Sequence, residues 1–236
     1  MTEAGSNSVN VLNAPFPWQG AQWALLSRAF AASQLAHAYL LIGSEGLGKS
    51  LFADGFAKYV LCKNPVAQSA TGALVDAAVA CGTCSNCLKC GAGNHPDILT
   101  IEPEEGSKNI RIDQIRWLSE FVIRSSHSGG AKVVIIQAAH LLNANAANAL
   151  LKTLEEPNDN THVLLVSDHP GRLVATIRSR CQKLAFQVPD ADIAASWLHA
   201  IIGAGNVNSI LEASDMRPLI ALELAQGDSL QARAQF

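Results

Sequence analysis

The sequence carries little charge and has no excess of basic residues. Charged side chains make up 16% of its 236 residues, and 17 Lys and Arg stand against 20 Asp and Glu, which gives a formal net charge of −3. A protein that binds nucleic acid by itself neutralises phosphates with clustered Lys and Arg. The composition therefore predicts no autonomous nucleic-acid-binding surface, although a local basic patch is compatible with it.

Long apolar runs are also missing. No stretch approaches the roughly 18 to 20 apolar residues that cross a bilayer. The polar segment 1–10 has neither the basic nor the apolar region of a signal peptide. We therefore expect a cytoplasmic protein. Because apolar residues nevertheless make up 49% of the chain, it can bury a substantial core, and disorder is a poor description of it.

Cysteine is crowded into one part of the chain. Five of the six cysteines fall between Cys62 and Cys90, and four of these form three overlapping Cys-x-x-Cys pairs. In a reducing cytosol such crowding favours metal ligation over disulfides. We predict a closed, structural zinc site with five candidate thiolates for four positions. An iron–sulfur cluster is the alternative, although its usual motif has three residues before the last cysteine and a proline after it; a redox disulfide is less favoured.

Buried strands alternate with helical patterns through most of the chain. Continuous apolar runs typical of parallel strands are found at residues 38–42, 98–101, 132–136 and 163–166. Helical spacing is found at residues 18–35, 51–61 and 145–156. After residue 188 the pattern is wholly helical. We predict an α/β fold with a largely parallel sheet, an insertion that contains the cysteines, and a small helical second domain.

Residues 43–50, GSEGLGKS, have the spacing of a phosphate-binding loop between a predicted strand and a predicted helix. The glycines let backbone N–H groups turn toward phosphate oxygens. Lys49 supplies a charge for the outer phosphates, and Ser50 is placed to ligate Mg²⁺. We therefore predict binding of ATP or ADP with Mg²⁺ through Gly43, Gly46, Gly48, Lys49 and Ser50. The alternative is a glycine turn that only packs.

Hydrolysis would need a carboxylate at the end of a neighbouring strand to hold the metal. We take the strand 132–136 as the only one placed to supply it. The residues that follow it, Gln137-Ala138-Ala139-His140, include no carboxylate. Since the Walker B carboxylates are missing, we expect no intrinsic hydrolytic activity.

Several segments together resemble the AAA+ clamp-loader ATPases of bacterial DNA polymerase III. They include the glycine loop, the cysteine module with His95-Pro96-Asp97, the run LLKTLEEP at 150–157, and Ser179-Arg180-Cys181. The last two are specific to clamp loaders, and the resemblance covers most of the chain. Arg217 also resembles the second-sensor arginine of the helical lid in this family.

The resemblance implies a domain organisation. A flexible lead-in would occupy residues 1–16 and an AAA+ P-loop domain residues 17–188, with the zinc-module insertion at about 62–97. A helical lid domain would occupy residues 189–236. Family members usually continue into a third, helical collar domain, and we expect this chain to lack it.

The resemblance also implies residue roles and partners. Arg180, by itself an ordinary solvated or paired arginine, corresponds to a trans arginine finger that reaches the ATP of a neighbouring subunit. The implied zinc ligands are Cys62, Cys81, Cys84 and Cys87, with Cys90 as an alternate. The missing carboxylates match a stator subunit that does not hydrolyse ATP. The implied partners are the gamma/tau motor subunits, the delta subunit and, through the complex, the sliding clamp and primed DNA, with no membrane.

Two other functions compete with this interpretation. A motor-type ATPase would use the glycine loop for its own turnover, against which the missing carboxylates argue. A zinc-ribbon nucleic-acid reader would need basic residues around the cysteines, and Lys63 and Lys89 are nearly the only ones there.

Overall fold

The computed structural model describes residues 15–68, 77–203 and 205–234. The strands are β1 (Ala38–Ile42), β2 (Val66–Gln68), β3 (Ala77–Val79), β4 (Ile98–Ile101), β5 (Lys132–Ile136), β6 (Thr161–Ser167) and β7 (Gln182–Ala185). The helices are α1 (Gly20–Ala31), α2 (Lys49–Leu61), α3 (Ser85–Gly91), α4 (Ile112–Ile123), α5 (Ala144–Glu155), α6 (Ala175–Arg178), α7 (Ala191–Ile202), α8 (Val207–Ala213) and α9 (Pro218–Ala234). No helix within the described ranges is long and apolar enough to cross a membrane.

Five strands form one parallel sheet in the order β4-β5-β6-β1-β7. β1 pairs with β6 in a register that sets Leu40 opposite Leu165, and with β7 in one that sets Leu41 opposite Leu184. The predicted parallel α/β sheet is therefore confirmed, and the strand that leads into the glycine loop lies in its interior.

Side chains of successive strand residues point to opposite faces of the sheet and fill two separate cores. On one face Leu40 belongs to a core that includes Ile115 of α4 and Leu150 of α5. On the other face Leu41 joins Trp23 of α1 and Phe52 of α2. Because helices cover both faces, the interior strands β1, β5 and β6 are mostly apolar, and this is the pattern by which the sequence predicted them.

The helices after residue 188 pack around a small core of their own. α7 contributes Leu198, α8 contributes Leu211 and α9 contributes Leu222. An aromatic cluster joins this helical unit to the start of the chain. The rings of Phe16 and Trp18 stack with centroids 4.9 Å apart, and Trp197 of α7 meets Trp18 edge-on at 5.1 Å.

The structure corrects the predicted lead-in at its end. Phe16 is only 2% exposed and packs against the glycine loop, so the folded region includes it. Residues 1–14 of the predicted lead-in lie outside the described part of the chain.

The insertion holds more regular structure than its composition suggested. β2 and β3 pair antiparallel, and α3 carries part of the cysteine cluster. Residues 69–76 of the insertion lie outside the described ranges.

Candidate functional site

The glycine loop connects the end of β1 with the first turn of α2. Gly46 and Gly48 have φ angles of 82° and 79°, in the left-handed region that glycine adopts without steric cost. Gly48 is the N-cap of α2, a helix of 13 residues. The loop thus presents backbone N–H groups at the end of a helix where anions are favoured.

Lys49 of this loop is 3% exposed and is bonded within the chain. Its Nζ donates to the carbonyl oxygen of Ser44 at 2.6 Å and lies 2.6 Å from Oδ1 of Asp168. Asp168 directly follows β6, the strand next to β1. A phosphate group would have to compete with these two oxygens for the ammonium group.

The expectation that only the strand 132–136 is placed to supply a carboxylate is wrong. That strand, β5, is separated from β1 by β6, and β6 ends beside the loop with Asp168. A cavity of about 440 Å³ next to Ser50 is lined by three carboxylates, those of Asp54, Glu102 and Asp168. Local sequence reasoning missed these carboxylates because they are far apart in the sequence: Asp54 lies on α2, Glu102 follows β4 and Asp168 follows β6.

Gln137 and Ala138 line the same cavity, at the end of β5. Neither side chain offers a charge to a metal ion. The side-chain Oε1 of Gln137 is buried and has no hydrogen-bond partner among the described residues. Burial raises the pKa of Asp54, against the opposing effect of Lys58.

Residues before α1 hold the loop from one side. The indole Nε1–H of Trp18 donates to the carbonyl oxygen of Leu47 at 3.0 Å. The buried amide of Gln19 donates to the carbonyl oxygens of Leu47 at 2.9 Å and Gly48 at 3.1 Å. A Cβ atom on Gly48 would lie 2.6 Å from the ring of Phe16, so the close approach requires glycine there.

The first turn of α9 holds the loop from the other side. The backbone N–H of Leu219 donates to the carbonyl oxygen of Gly46 at 3.1 Å, and a Cβ atom on Gly46 would lie 2.6 Å from Cγ1 of Ile220. Arg217 also approaches Gly46, but its guanidinium group is bonded to Ser214 and Asp215. The helical unit is therefore in direct contact with the glycine loop.

Four of the five crowded cysteines converge. The Sγ atoms of Cys62, Cys81, Cys84 and Cys87 all lie within 4.8 Å of one another, and Cys90 is outside this group. Sγ of Cys62 is 4.0 Å from that of Cys84, and Sγ of Cys81 is 3.9 Å from that of Cys87. Tetrahedral zinc with Zn–S bonds of about 2.3 Å requires sulfurs about 3.8 Å apart. The spacing of the thiols fits a zinc ion.

Backbone donors around the cluster favour thiolates. The N–H groups of Cys84 and Cys87 approach the sulfurs of Cys81 and Cys84 at 3.3 and 3.5 Å, in the short Cys-x-x-Cys loops. Hydrogen bonds from the backbone of Thr83 and Cys84 lower the pKa of Cys81 to about 6. Burial raises the pKa of Cys87 and of Cys62, and a cation would oppose that effect.

Arg180 lies just after α6, with 35% of its side chain exposed. Its guanidinium group is 2.5 Å from Oε1 of Glu155 at the end of α5, and it also donates to the carbonyl oxygen of Thr176 at 2.9 Å. The adjacent Cys181 is buried. The arginine is thus held at the surface by two acceptors from α5 and α6. The sequence by itself indicated a solvated or paired arginine, but not which residues it bonds.

Comparison with known proteins identifies a matching family and several relatives of the chain. The profile of a family described as DNA polymerase III, delta subunit, matches residues 18–190. The chain is 42% identical over 223 residues to DNA polymerase III subunit delta′ of Pseudomonas aeruginosa, covering 93% of this chain and 64% of that relative. It is 35% identical over 220 residues to subunit delta′ of Escherichia coli, covering 92% of this chain and 63% of that relative. The chain thus spans less than two thirds of the length of these two relatives.

More distant matches extend the likeness. Subunit tau of Escherichia coli DNA polymerase III is 31% identical over 167 residues, covering 71% of this chain and 24% of that relative. A gamma-subunit-related protein of Thermotoga maritima superposes with a TM-score of 0.54 at 22% identity, covering 85% of this chain and 57% of that structure. Together with the sheet topology, this likeness confirms the expected AAA+-like fold.

Proposed function

The chain belongs to the family of DNA polymerase III delta′ subunits, and we propose that it acts in DNA replication as the stator of a clamp loader. In this role it assembles with gamma/tau motor subunits and the delta subunit in the cytoplasm, and it takes part in loading the sliding clamp on primed DNA. It is then a subunit of a DNA-directed DNA polymerase holoenzyme, a nucleotidyltransferase, without hydrolytic activity of its own.

The observation that carries this proposal is the position of Arg180. Its side chain is partly exposed, and its guanidinium group is held in a defined place by Glu155 and by the carbonyl oxygen of Thr176. A guanidinium fork is suited to the charge that builds on a phosphoryl group during transfer. We propose that Arg180 acts in trans, as a finger on ATP bound by the neighbouring motor subunit.

Replacement of Arg180 tests this role in a reconstituted clamp-loader complex. For Arg180→Ala we expect DNA-stimulated ATP hydrolysis to fall, and clamp loading to fall by about tenfold or more, because charge on the transferred phosphoryl group loses its partner. Arg116→Ala, which removes an exposed arginine paired with Asp113, is the matched control and should retain full activity. Full activity of a correctly assembled Arg180→Ala complex would contradict the finger role.

For the glycine loop we propose that it takes up ATP or ADP with Mg²⁺ without hydrolysing it. The left-handed glycines and the N-terminus of α2 support binding. Two features support the lack of turnover: Gln137 and Ala138, which follow β5, carry no charge, and the carboxylate of Asp168 is paired with Lys49. Turnover by the isolated chain that is lost in Lys49→Ala would instead favour the motor-type ATPase.

We also propose a structural zinc ion held by Cys62, Cys81, Cys84 and Cys87. The convergence of their four sulfurs supports it, and so does the closed character of a four-thiolate site, which leaves no open position for catalysis. Zinc there would join the end of α2 to α3 and so hold the insertion against the sheet domain.

A further inference from the structure

The backbone on both sides of Arg180 is anchored in the core of the sheet domain. Ile177 is fully buried and Cys181 is 8% exposed, and both belong to the core that also contains Leu154 of α5. The side chain of Arg180, by contrast, is 35% exposed. Its guanidinium group can therefore change position by rotation of side-chain bonds, without movement of α5 or α6.

Glu155 is the charged group that holds this guanidinium group. Its Oε1 lies 2.5 Å from Nη2 of Arg180, while Nη1 donates to the carbonyl oxygen of Thr176 at 2.9 Å. Both terminal nitrogens of the arginine are thus engaged. Arginine binds a phosphate group best through two parallel hydrogen bonds from its fork of N–H groups. A phosphate group and Glu155 would therefore compete for the same atoms.

The place of Glu155 in its helix is unfavourable for a carboxylate. Glu155 is the last residue of α5, and the negative end of a helix dipole disfavours an anion there. Lys152, three residues earlier on α5, has the spacing at which opposite charges commonly pair. The ion pairs found among the described residues nevertheless join Glu155 to Arg180 and not to Lys152. The carboxylate is therefore directed at the arginine, and not at the charge on its own helix.

The pair of Glu155 and Arg180 is weak enough to be exchanged for another anion. The side chain of Glu155 is 50% exposed and that of Arg180 is 35% exposed. Ion pairs with such access to water contribute little to stability. The terminal phosphate of ATP carries more negative charge than one carboxylate, so the guanidinium group can leave Glu155 for it at small cost. In the absence of a phosphate group, the arginine stays paired.

We propose that Glu155 restrains the arginine finger: it competes with the γ-phosphate of ATP on the neighbouring subunit for Arg180, and so slows the hydrolysis that the finger promotes. The inference rests on the role of Arg180 proposed above and concerns the regulation of that role. Glu155 acts through Arg180, so it is a positioning residue. Removal of its carboxylate should accelerate turnover, whereas removal of the guanidinium group should slow it.

ATP hydrolysis by a reconstituted clamp loader tests the restraint. The part of the rate that depends on Arg180 is the measured rate less that of the Arg180→Ala complex. For Glu155→Gln, which keeps the size of the side chain and removes its charge, we expect this part of kcat/KM to rise about two- to fivefold, as the loss of an exposed ion pair allows. Glu156→Gln, at the adjacent exposed position, is the matched control and should leave it unchanged.

A double variant separates the restraint from a purely structural ion pair. The rise should disappear when Glu155→Gln is combined with Arg180→Ala, because the carboxylate acts only through the arginine. A structural pair would instead lower the unfolding temperature of the chain and leave the rate unchanged or lower.

The single variants also distinguish failure of the restraint from failure of the finger. If Arg180→Ala slows hydrolysis but Glu155→Gln does not accelerate it in a correctly assembled complex, the restraint is wrong and the finger role stands. If Arg180→Ala leaves hydrolysis unchanged, the finger role is wrong and the restraint falls with it.

Discussion

At the scale of single residues, the buried charged side chains of Lys49 and Asp97 hold loops in place, and each bonds to at least one residue far away in the sequence. Lys49 bonds to Ser44 and Asp168, as described above. Asp97, which precedes β4, accepts the backbone N–H groups of His127 at 2.6 Å and Ser128 at 2.9 Å. A buried charge is tolerated only when hydrogen bonds or an opposite charge compensate it. Removal of either partner should therefore cause a measurable loss of stability.

Asp97 should give the protein a specific loss of stability in acid. Burial alone would raise its pKa, but the hydrogen bonds from His127 and Ser128 outweigh it, and the pKa is lowered. The stabilisation is therefore fully present above the unfolded-state pKa of about 3.9 and is lost as the pH falls through the lower, native value. Asp97→Asn should lower the free energy of unfolding at pH 7 by about 1 to 3 kcal/mol and should flatten its dependence on pH below about 4.

Urea unfolding followed from pH 7 to pH 3 provides the measurement. Asp113→Asn, in an exposed pair with Arg116, is the control and should differ little from the unmodified chain. An equal loss of stability at every pH in Asp97→Asn would mean that the carboxylate charge is not the cause.

Asp168 should restrain nucleotide binding. Its carboxylate is paired with Lys49 and would repel a phosphate group bound to the same lysine. Asp168→Asn should therefore raise the affinity for ADP by about three- to tenfold. Without nucleotide the same variant should be less stable by about 1 to 2 kcal/mol, because the buried ammonium group keeps only the carbonyl oxygen of Ser44.

Equilibrium binding of a fluorescent ADP analogue, together with thermal unfolding, checks both effects. Asp159→Asn, at an exposed position, is the matched charge removal. Unchanged or weaker ADP binding by a folded Asp168→Asn protein would contradict the restraint.

At the scale of helices and strands, the sequence predicted four of the five strands of the sheet but missed β7 and α4. β1, β5 and β6 are mostly apolar because both of their faces are covered, and such runs can be recognised without any knowledge of the fold. β7 escaped notice because it is an edge strand in which only Leu184 is buried. α4 was also missed, although its buried Ile115, Leu118 and Val122 follow helical spacing and could have revealed it.

Contacts that depend on strand order could not be predicted locally. The pairing of Lys49 with Asp168 requires β6 to lie beside β1, and the pairing of Arg180 with Glu155 requires α5 and α6 to meet. The residues near them in the sequence indicate neither the adjacency of β6 and β1 nor the contact between α5 and α6. The partnership of Cys62 with three cysteines some 20 residues later came from the family resemblance, and the structure provides its geometry.

The cysteine module should depend on Cys62 and not on Cys90. Cys62→Ala should lose one zinc per chain and at least about 2 kcal/mol of stability, because the proposed zinc would join α2 to α3 only through that thiolate. Cys90→Ala should keep its zinc, since its sulfur lies outside the group. Elemental analysis and thermal unfolding decide between these outcomes. Iron, or no metal, in the purified unmodified chain would overturn the assignment.

At the scale of the whole molecule, three parts of the chain meet at the glycine loop. The segment before α1 contributes Trp18 and Gln19, the sheet domain contributes Asp168, and the helical unit contributes Leu219. The loop is thus fixed from three directions. This rigidity is compatible with the stator role proposed above, in which the chain presents Arg180 and does not itself cycle through hydrolysis.

Loss of the loop lysine should therefore have little effect in the assembled complex. In a reconstituted clamp loader, Lys49→Gln should keep DNA-stimulated ATP hydrolysis within about twofold of the unmodified complex, since the proposed stator role leaves turnover to the motor subunits. The variant keeps a hydrogen-bond donor for Ser44. A loss as large as that expected for Arg180→Ala would mean that this loop takes part in turnover.

The aromatic cluster of Phe16, Trp18 and Trp197 has an optical consequence. The indoles of Trp18 and Trp197 lie 5.1 Å apart at an interplanar angle of 87°, one just before α1 and one in the helical unit. Two identical chromophores at this distance share their excited states, and the rotational strength of such a pair depends steeply on its geometry. The near-ultraviolet circular dichroism of this tryptophan pair therefore reports the position of α7 without any label.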